Sequence, residues 1–337
     1  MILAADIGGT KADLALFAID GGTLVETRRA RFPTAAWDGL EPLLDHFLGA
    51  DRGALTACAV GVAGPVRDGR VAGTNLPWTI EAAALAARLG LPRVDLLNDL
   101  EAVAHGLAGL DPARTRLLHP GTADPGGTVA VLAPGTGLGQ AFLFQSADGA
   151  AVACPSEGGH ADFAPRNDLE WDLARWIAAR YDGHTSWERV LSGLGLSNIY
   201  DFLRDTGRCA EPEWLAAERA AGDPNAALTA ADGRADIATQ TLDLFVGCLG
   251  AQAGNLALTV LATGGLYLGG GIPPRLADRL ADGRFVRAYL DKGRLSPLVA
   301  SIPVRIVLDD RIAVRGAATV ARRGLVAAAP PVSAPRS

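Results

Sequence analysis

The sequence predicts an α/β fold built from two units. Short apolar runs typical of buried strands alternate with segments of helical spacing over most of the 337 residues. A chain of this length exceeds one typical hydrophobic core, which favours two domains. A strand, a glycine turn and a second strand open the chain, and the same pattern recurs at 128–145. This recurrence resembles an internal repeat at the scale of a domain, although it is too short to prove a duplication.

The first unit begins with strands and glycine turns. Apolar runs predict strands at residues 2–7, 12–19, 24–32, 54–66 and 94–99. Helical spacing predicts helices at 39–49 and 80–90, which both end in glycine, as helix C-termini often do. A third helix follows directly after Asp99.

The pattern restarts after Asp111-Pro112, and helices dominate from Asn167 onward. We expect a long helix from about Asp232 to Ala262, late strands at 267–272 and 304–308, and a closing amphipathic helix at 309–324 with Asp as its N-cap. If that helix packs back on the first unit, the smaller domain comprises residues 1–110 plus about 309–325. The larger domain is then 111–308, and residues 326–337 form a disordered tail.

Composition excludes several classes of protein. A net charge of −6 argues against a broad nucleic-acid surface. The four cysteines lie far apart without CxxC spacing, which suits a reducing cytoplasm better than a disulfide framework or a zinc cluster. The uncharged stretch 244–274 contains Gln252, Asn255 and glycine clusters, so it predicts a buried helix and then a buried strand, not a membrane span.

The segment Asp6-Ile7-Gly8-Gly9-Thr10-Lys11 joins the first two strands. Glycines allow close approach of a ligand, and successive backbone N–H groups can bind an anion such as phosphate. Asp6 can hold Mg²⁺ through water, and Lys11 is one of only two lysines in the chain. The local pattern alone fits a plain hairpin turn at least as well.

Two further glycine turns have similar surroundings. Gly135-Thr136-Gly137 follows a strand and offers a second wall for a phosphate chain, and Gly269-Gly270-Gly271 offers backbone to a nucleoside. Plain turns remain the alternative for both. Neither a P-loop pattern nor a GxGxxG pattern with its acidic partner occurs in the chain.

Polar residues at three places suggest sugar chemistry. Asp99, with Asn98, ends a strand where a general base is well held, although the local pattern alone favours capping of the next helix. Glu157 and His160 lie on a glycine-rich loop and suit hydrogen bonding to sugar hydroxyls. Glu188 is expected in the first turn of a helix, where the helix dipole alone favours an acid.

The order of these motifs resembles the bacterial glucokinase family, within the sugar kinase, Hsp70 and actin superfamily. The resemblance spans about residues 2–324. It rests on these segments in order: DIGGTK, GVAGPV with TNLPW, LLNDLEAVAHG, APGTGLG, PSEGGHADFAP, ERVLSGLGL and YLGGGIPPR. It implies a two-domain actin-like ATPase fold with ribonuclease H-like mixed sheets flanking a cleft that holds ATP and glucose.

The resemblance also implies residue roles. Asp99 would be the base that takes the proton of the sugar 6-hydroxyl, and the sugar hydroxyls would be held by Asn98, Asp99, Glu157, His160, Glu188 and Asn75. The phosphates would be held by the turns at Gly8–Thr10 and Gly135–Gly137, and the nucleoside by Gly269–Gly271. Mg²⁺ would accompany ATP, and a homodimer is the implied assembly.

Several points depart from the family pattern or stay open. Lys11 stands where some members have Asn, and Leu194 replaces a common Pro. Alternatives within the enzyme class are kinases for mannose, fructose or N-acetylglucosamine. A sugar-sensing protein without turnover is the alternative from a different class, and the presence of Asp99 argues against it.

Overall fold

The structure is a computed structural model that describes residues 1–72, 76, 78–146 and 151–328. Contacts between Cα atoms divide the chain into two compact units. Unit 1 contains Met1–Leu110 and the segment that begins at Asp309, and unit 2 contains Asp111–Leu308.

Unit 1 is built on a five-stranded mixed sheet. Its elements are β1 (Ile2–Ile7), β2 (Lys11–Asp20), β3 (Thr23–Pro33), α1 (Leu40–Leu48), β4 (Ala57–Val62), β5 (Arg70–Ala72), β6 (Thr79–Glu81), α2 (Ala82–Leu89), β7 (Asp95–Asn98) and α3 (Asp99–Leu107). The sheet order is β3-β2-β1-β4-β7, and β5 pairs with β6 in a separate ribbon. Strands β1, β4 and β7 are parallel, whereas β2 and β3 run antiparallel to their neighbours.

Both faces of this sheet are covered, which explains why β1 is an unbroken apolar run before Asp6. Ile2 and Ala4 face a cluster that includes the last helix, and Leu3, Ala5 and Ile7 face a second cluster that includes α1. The predicted strand therefore reflects burial on two sides.

Unit 2 is built on a six-stranded mixed sheet. Its elements are β8 (Thr115–His119), β9 (Val129–Pro134), β10 (Leu138–Gln145), β11 (Ala151–Ser156), α4 (Asp168–Ala178), α5 (Gly193–Asp205), α6 (Glu213–Ala221), α7 (Pro224–Ala230), α8 (Asp236–Thr259), β12 (Gly265–Leu268), α9 (Ile272–Arg275), α10 (Ala277–Leu280), α11 (Arg284–Leu290), α12 (Ser296–Ala300) and β13 (Val304–Val307). The sheet order is β11-β10-β9-β12-β13-β8.

The two sheets share a strand arrangement that matches the pattern recurring in the sequence. In each unit a central strand, β1 or β9, has an antiparallel pair on one side and two parallel strands on the other. The central strand of each unit leads through a glycine turn into its antiparallel partner. The two turns predicted to bind phosphate thus occupy equivalent places in two similar sheets.

The uncharged stretch 244–274 forms the second half of α8 and then β12, as expected. Within the described ranges, no helix is long and apolar enough to cross a membrane. Most residues of α8 are buried in the core of unit 2, which explains the absence of charge.

The final helix is longer than expected. Helix α13 (Ile312–Ala328) extends beyond residue 325, where the sequence suggested that a disordered tail begins. The added residues include two alanines, the best helix formers. Two prolines follow at positions 330 and 331, and a proline disfavours helix in the residue before it.

Candidate active site

Three parallel strands of unit 1 end at one edge of its sheet. The register pairs Asp6 of β1 with Gly61 of β4, and Val62 of β4 with Asn98 of β7. Because ligands of α/β proteins bind at the carboxyl ends of parallel strands, this edge is the natural place for a site. Asp6, Asn98 and Asp99 all lie there, and the sequence predicted this position for Asn98 and Asp99.

Asn98 and Asp99 occupy the start of α3. Asn98 is the N-cap, and its side-chain oxygen accepts a hydrogen bond of 2.9 Å from the N–H of Leu100. Its amide nitrogen donates to the carbonyl of Gly64 at 3.1 Å. Asp99 is half-buried and also accepts from the N–H of Leu100, at 2.9 Å. Asn98 therefore does serve as a cap, and the cap fixes where Asp99 begins the helix.

Glu101 completes the cap from inside the helix. Its carboxylate accepts a hydrogen bond of 3.3 Å from the backbone N–H of Asn98, which makes a capping box with the Asn98 side chain. Burial raises the pKa of Glu101, while this hydrogen bond acts in the opposite direction. Glu101 is a functional residue that the sequence prediction missed, although an acid three positions after an N-cap is a recognisable signal.

Asp6 is the acid for which the structure best fits a cation. Burial is the main cause that raises the pKa of Asp6 to about 7, and the negative charge of Asp99 is the next. A nearby cation would relieve both effects. No group of three or more His, Cys, Asp or Glu side chains arranged to hold a metal occurs in the described part of the chain. A single carboxylate of this kind suits a cation that takes its other ligands from water and from phosphate.

The turn between β1 and β2 is a hairpin closed by a hydrogen bond of 2.9 Å from the N–H of Gly8 to the carbonyl of Lys11. Thr34 secures this turn from outside. Its hydroxyl donates to the carbonyl of Gly8 at 2.7 Å, and its N–H donates to the carbonyl of Thr10 at 3.1 Å. Thr34 is fully buried and was missed from the sequence, because the contact joins residues far apart in the chain.

Lys11 lies beside the same turn with half of its side chain exposed, and its charge acts to lower the pKa of Asp6. Its Nζ is 4.0 Å from Oδ2 of buried Asp13. Asp13 also accepts hydrogen bonds from Arg29 at 3.1 Å and from Arg31 at 2.7 Å. Asp13 is thus neutralised mainly by arginines, and half of the Lys11 side chain faces solvent.

In unit 2, two glycine turns lie side by side at the ends of the parallel strands β9 and β12. A Cβ on Gly270 would lie 2.4 Å from the carbonyl oxygen of Pro134, and the φ of Gly270 is +78°. Only glycine accommodates both the close approach and this conformation. The structure therefore brings the predicted phosphate turn, Gly135–Gly137, against the predicted nucleoside turn, Gly269–Gly271.

The third group in unit 2 brings together Glu157, His160 and Glu188. His160 lies at the end of a single 3₁₀ turn, Gly158–His160, with its side chain 61% exposed. Its Nε2 is 3.9 Å from a carboxylate oxygen of Glu157, and its Nδ1 is 3.9 Å from one of Glu188. Two acids and an imidazole at this spacing leave acceptors and donors available for several hydroxyl groups.

The expectation that Glu188 lies in the first turn of a helix is wrong. Glu188 lies in a turn that follows the bridge between Asp162 and Ser186, and α5 begins only at Gly193. The backbone N–H of Glu188 instead donates to the carbonyl of Gly159 at 2.8 Å. That bond ties the Glu188 turn to the glycine-rich loop.

Asn75, which the family resemblance connected with the sugar, lies outside the described residues.

Comparison with known proteins agrees with the fold and the motif order. The Glucokinase family model matches residues 3–324. A curated glucokinase of Synechocystis is 38% identical over 348 aligned positions, which cover 95% of this chain and 97% of the relative.

Solved structures of glucokinases have the same fold as this chain. A glucokinase from an Antarctic psychrotroph superposes with a TM-score of 0.83 at 32% identity, covering 96% of this chain and 98% of that one. A ROK family glucokinase from Streptomyces griseus, solved in complex with glucose and AMPPNP, has a TM-score of 0.61 at 22% identity, covering 96% and 99% of the two chains. The actin-like sugar kinase fold predicted from the motif order is confirmed, and this chain belongs to the glucokinase family.

Proposed function

We propose that the chain transfers the γ-phosphoryl group of ATP to the 6-hydroxyl of glucose, giving glucose 6-phosphate and ADP. Membership of the glucokinase family supports this reaction. The observation that carries it is the placement of Asp99 at the end of β7 and the start of α3, next to Asp6 at the same sheet edge. Phosphoryl transfer depends mainly on positioning and on neutralising charge.

Asp99 is the proposed general base. Its place in the first turn of α3 favours a negative charge, because the N-terminal end of a helix stabilises such a charge. An ionised carboxylate accepts the proton of the 6-hydroxyl as that oxygen attacks phosphorus. Such a base contributes about 10²–10⁴-fold to the rate.

Sugar recognition falls to Asn98, Glu157, His160 and Glu188 together with Asp99. The carboxylates accept hydrogen bonds from hydroxyls, and the amide of Asn98 and the imidazole of His160 donate. Asn75 belongs to the proposal through the family motif alone.

Phosphate recognition falls to the turns at Gly8–Thr10 and Gly135–Gly137. The N–H groups of Gly8 and Gly135 already donate to carbonyls within their own turns. In this proposal the remaining backbone N–H groups of each turn face the phosphates, and Thr10 and Thr136, both exposed, add hydroxyls. Lys11 adds a positive charge beside the first turn, and Gly269–Gly271 contacts the nucleoside.

Mg²⁺ fits the surroundings of Asp6. When bound with ATP, the ion neutralises phosphate charge and polarises the transferred group. Asp6 is the protein group proposed to hold it, through water. The chain is proposed to work as a homodimer in the cytoplasm. The homodimer rests on the family resemblance, and the cytoplasm rests on the cysteine pattern.

The test is release of ADP from Mg-ATP with a panel of hexoses: glucose, mannose, fructose and N-acetylglucosamine. We expect the highest kcat/KM with glucose. A higher value with another hexose would assign the chain to that sugar. No hexose-dependent release, together with measurable sugar binding, would favour a sensor.

A further inference from the structure

The carboxylate of Glu188 makes contacts on two sides. One oxygen accepts a hydrogen bond of 2.9 Å from the backbone N–H of Leu138, the residue that directly follows the Gly135–Gly137 turn. The other oxygen lies 3.9 Å from Nδ1 of His160. The side chain is 28% exposed, so it is held mostly within the protein. One side chain thus touches both the glycine turn and the loop proposed to bind sugar.

The glycine at position 137 fits closely around this contact. A Cβ on Gly137 would lie 2.5 Å from the same Glu188 oxygen that accepts from Leu138. Any larger residue at 137 would displace the carboxylate. The turn and the carboxylate are therefore matched in shape as well as by a hydrogen bond.

Ser192 holds the backbone of Glu188 in place. The Ser192 hydroxyl donates to the carbonyl of Glu188 at 2.7 Å and accepts from the N–H of Gly195 at 3.0 Å, which caps helix α5. Ser192 is completely buried. Its hydroxyl therefore anchors Glu188 to the first turn of a thirteen-residue helix.

That helix also contacts the glycine turn directly. The N–H of Gly193, the first residue of α5, donates to the carbonyl of Gly135 at 2.8 Å. Asn225 donates in turn to the carbonyl of Gly193 at 3.0 Å. The turn is thus held at its start by Gly193 and just past its end by Glu188, and Ser192 lies between these two contacts in the chain.

We propose that Glu188 couples the sugar subsite to the Gly135–Gly137 turn, with Ser192 as the positioning residue for both. A hydroxyl bound at the Glu188–His160 face fixes the rotamer of Glu188, and the second carboxylate oxygen then fixes the N–H of Leu138 and the turn before it. Sugar binding thereby prepares the turn for the phosphates of ATP. This inference rests on the proposed function, which assigns sugar to Glu188 and phosphate to the turn.

The measurement is the coupling factor between the two ligands. The Kd of Mg-AMPPNP is determined by calorimetry with and without saturating glucose, and the ratio of the two values is the coupling factor. Coupling factors of about 5–150 are typical of linked sites, and the linkage is reciprocal. We expect a factor in that range for the wild-type chain, and a fall of at least about fivefold, or to unity, in Ser192→Ala.

The matched control is Asn167→Ala. The side-chain oxygen of Asn167 caps α4 by accepting a hydrogen bond of 3.0 Å from the N–H of Glu170, as the Ser192 hydroxyl accepts from Gly195, so this variant removes a side-chain cap in the same unit. We expect this variant to keep the wild-type coupling factor. An unchanged factor in Ser192→Ala, or an equal fall in both variants, would overturn the proposal.

A second pair of variants keeps the proposal testable if Ser192→Ala does not fold. In Glu188→Gln the amide oxygen can still accept from Leu138, whereas in Glu188→Ala nothing replaces it. We expect coupling to persist in the glutamine variant and to vanish in the alanine variant, and equal coupling in both would contradict the link.

A separate measurement of turnover distinguishes failure of the coupling proposal from failure of the proposed function. If the wild-type chain phosphorylates glucose but shows a coupling factor of one, the link is wrong and the proposed function stands. If no hexose is phosphorylated but coupling persists and depends on Ser192, the link is right and the proposed reaction is wrong.

Discussion

The carboxyl groups of Asp6 and Asp99 share one sheet edge, and the charge of Asp99 adds to the effect of burial in raising the pKa of Asp6 to about 7. A partly desolvated aspartate beside a second acid is unfavourable for the protein without ligand. It becomes favourable when a cation or the phosphates with their metal ion approach. Strongly shifted pKa values of this kind are typical of functional sites.

Asp6→Asn should stabilise the protein in a manner that depends on pH. The pKa of Asp6 is about 7 in the folded protein and 3.8 ordinarily. The free energy of unfolding therefore falls as pH rises between these two values, because Asp6 ionises more readily in the unfolded chain. Asparagine has nearly the same shape and no charge. We expect the variant to melt at a higher temperature than wild type at about pH 8, with the difference shrinking towards about pH 5. Thermal denaturation without ligands checks this, and a difference that does not change with pH would contradict it.

Thr34→Val should weaken the use of ATP. The substitution removes the hydroxyl that donates to the carbonyl of Gly8, while the shape of the side chain is preserved. A hydrogen bond of this kind contributes about 1 kcal/mol, so we expect KM for Mg-ATP to rise about fivefold. Steady-state kinetics at saturating glucose measures this value. Thr34→Ser retains the hydroxyl and should stay close to wild type, and equal effects of the two substitutions would show that packing, not the hydrogen bond, matters.

Glu101→Ala should reduce kcat more than it affects KM for glucose. The side chain closes the capping box on Asn98, directly before Asp99, and loss of a cap costs about 1 kcal/mol. Glu101→Gln can still accept the hydrogen bond from the Asn98 N–H. We expect the glutamine variant to retain most of kcat, and a greater loss in glutamine than in alanine would exclude the positioning role.

Gly316→Ala should destabilise the protein although alanine is the better helix former. A Cβ at this position would lie 1.7 Å from the carbonyl oxygen of Ala102, where α13 crosses α3. We expect a loss of about 1–3 kcal/mol in denaturant unfolding, since overpacking outweighs the gain in helix propensity of about 1 kcal/mol. Gly109→Ala is the control, because nothing lies within 4 Å of a Cβ there. Similar stability of the two variants would contradict the close packing of α3 and α13.

The strands and their glycine turns were predictable because their signals are local. When a glycine pair follows an apolar run such as β1, the pattern predicts a buried strand and then a turn, and no other element fits it. The similar arrangement of β1 and β9 could be anticipated for the same reason, since each run precedes a glycine turn and a second strand.

The contacts that hold the site were not predictable, because they join residues distant in sequence. Nothing in the sequence around Thr34 indicates that its hydroxyl meets Gly8. Glu188 was placed in a helix because an acid before an apolar pattern is typical of a first turn. Its turn is instead fixed by the hydrogen bond to Gly159 and by the cap at Ser192, which makes the helix begin at Gly193.

The dual use of Asn98 and Asp99 shows why local patterns leave function open. The sequence pattern is compatible with either capping or catalysis, and the structure shows the cap at Asn98. A cap at the end of a parallel strand is also what holds a carboxylate rigidly at the sheet edge, so capping supports the catalytic proposal and does not compete with it.

The most direct test of the account is kcat of Asp99→Asn with glucose and Mg-ATP, measured beside the Kd for glucose from calorimetry. We predict a fall in kcat of about 10²–10⁴-fold with glucose binding retained, since asparagine keeps the hydrogen-bonding shape but cannot accept the proton. A variant that binds glucose and turns over at the wild-type rate would contradict the assignment of Asp99 as the base.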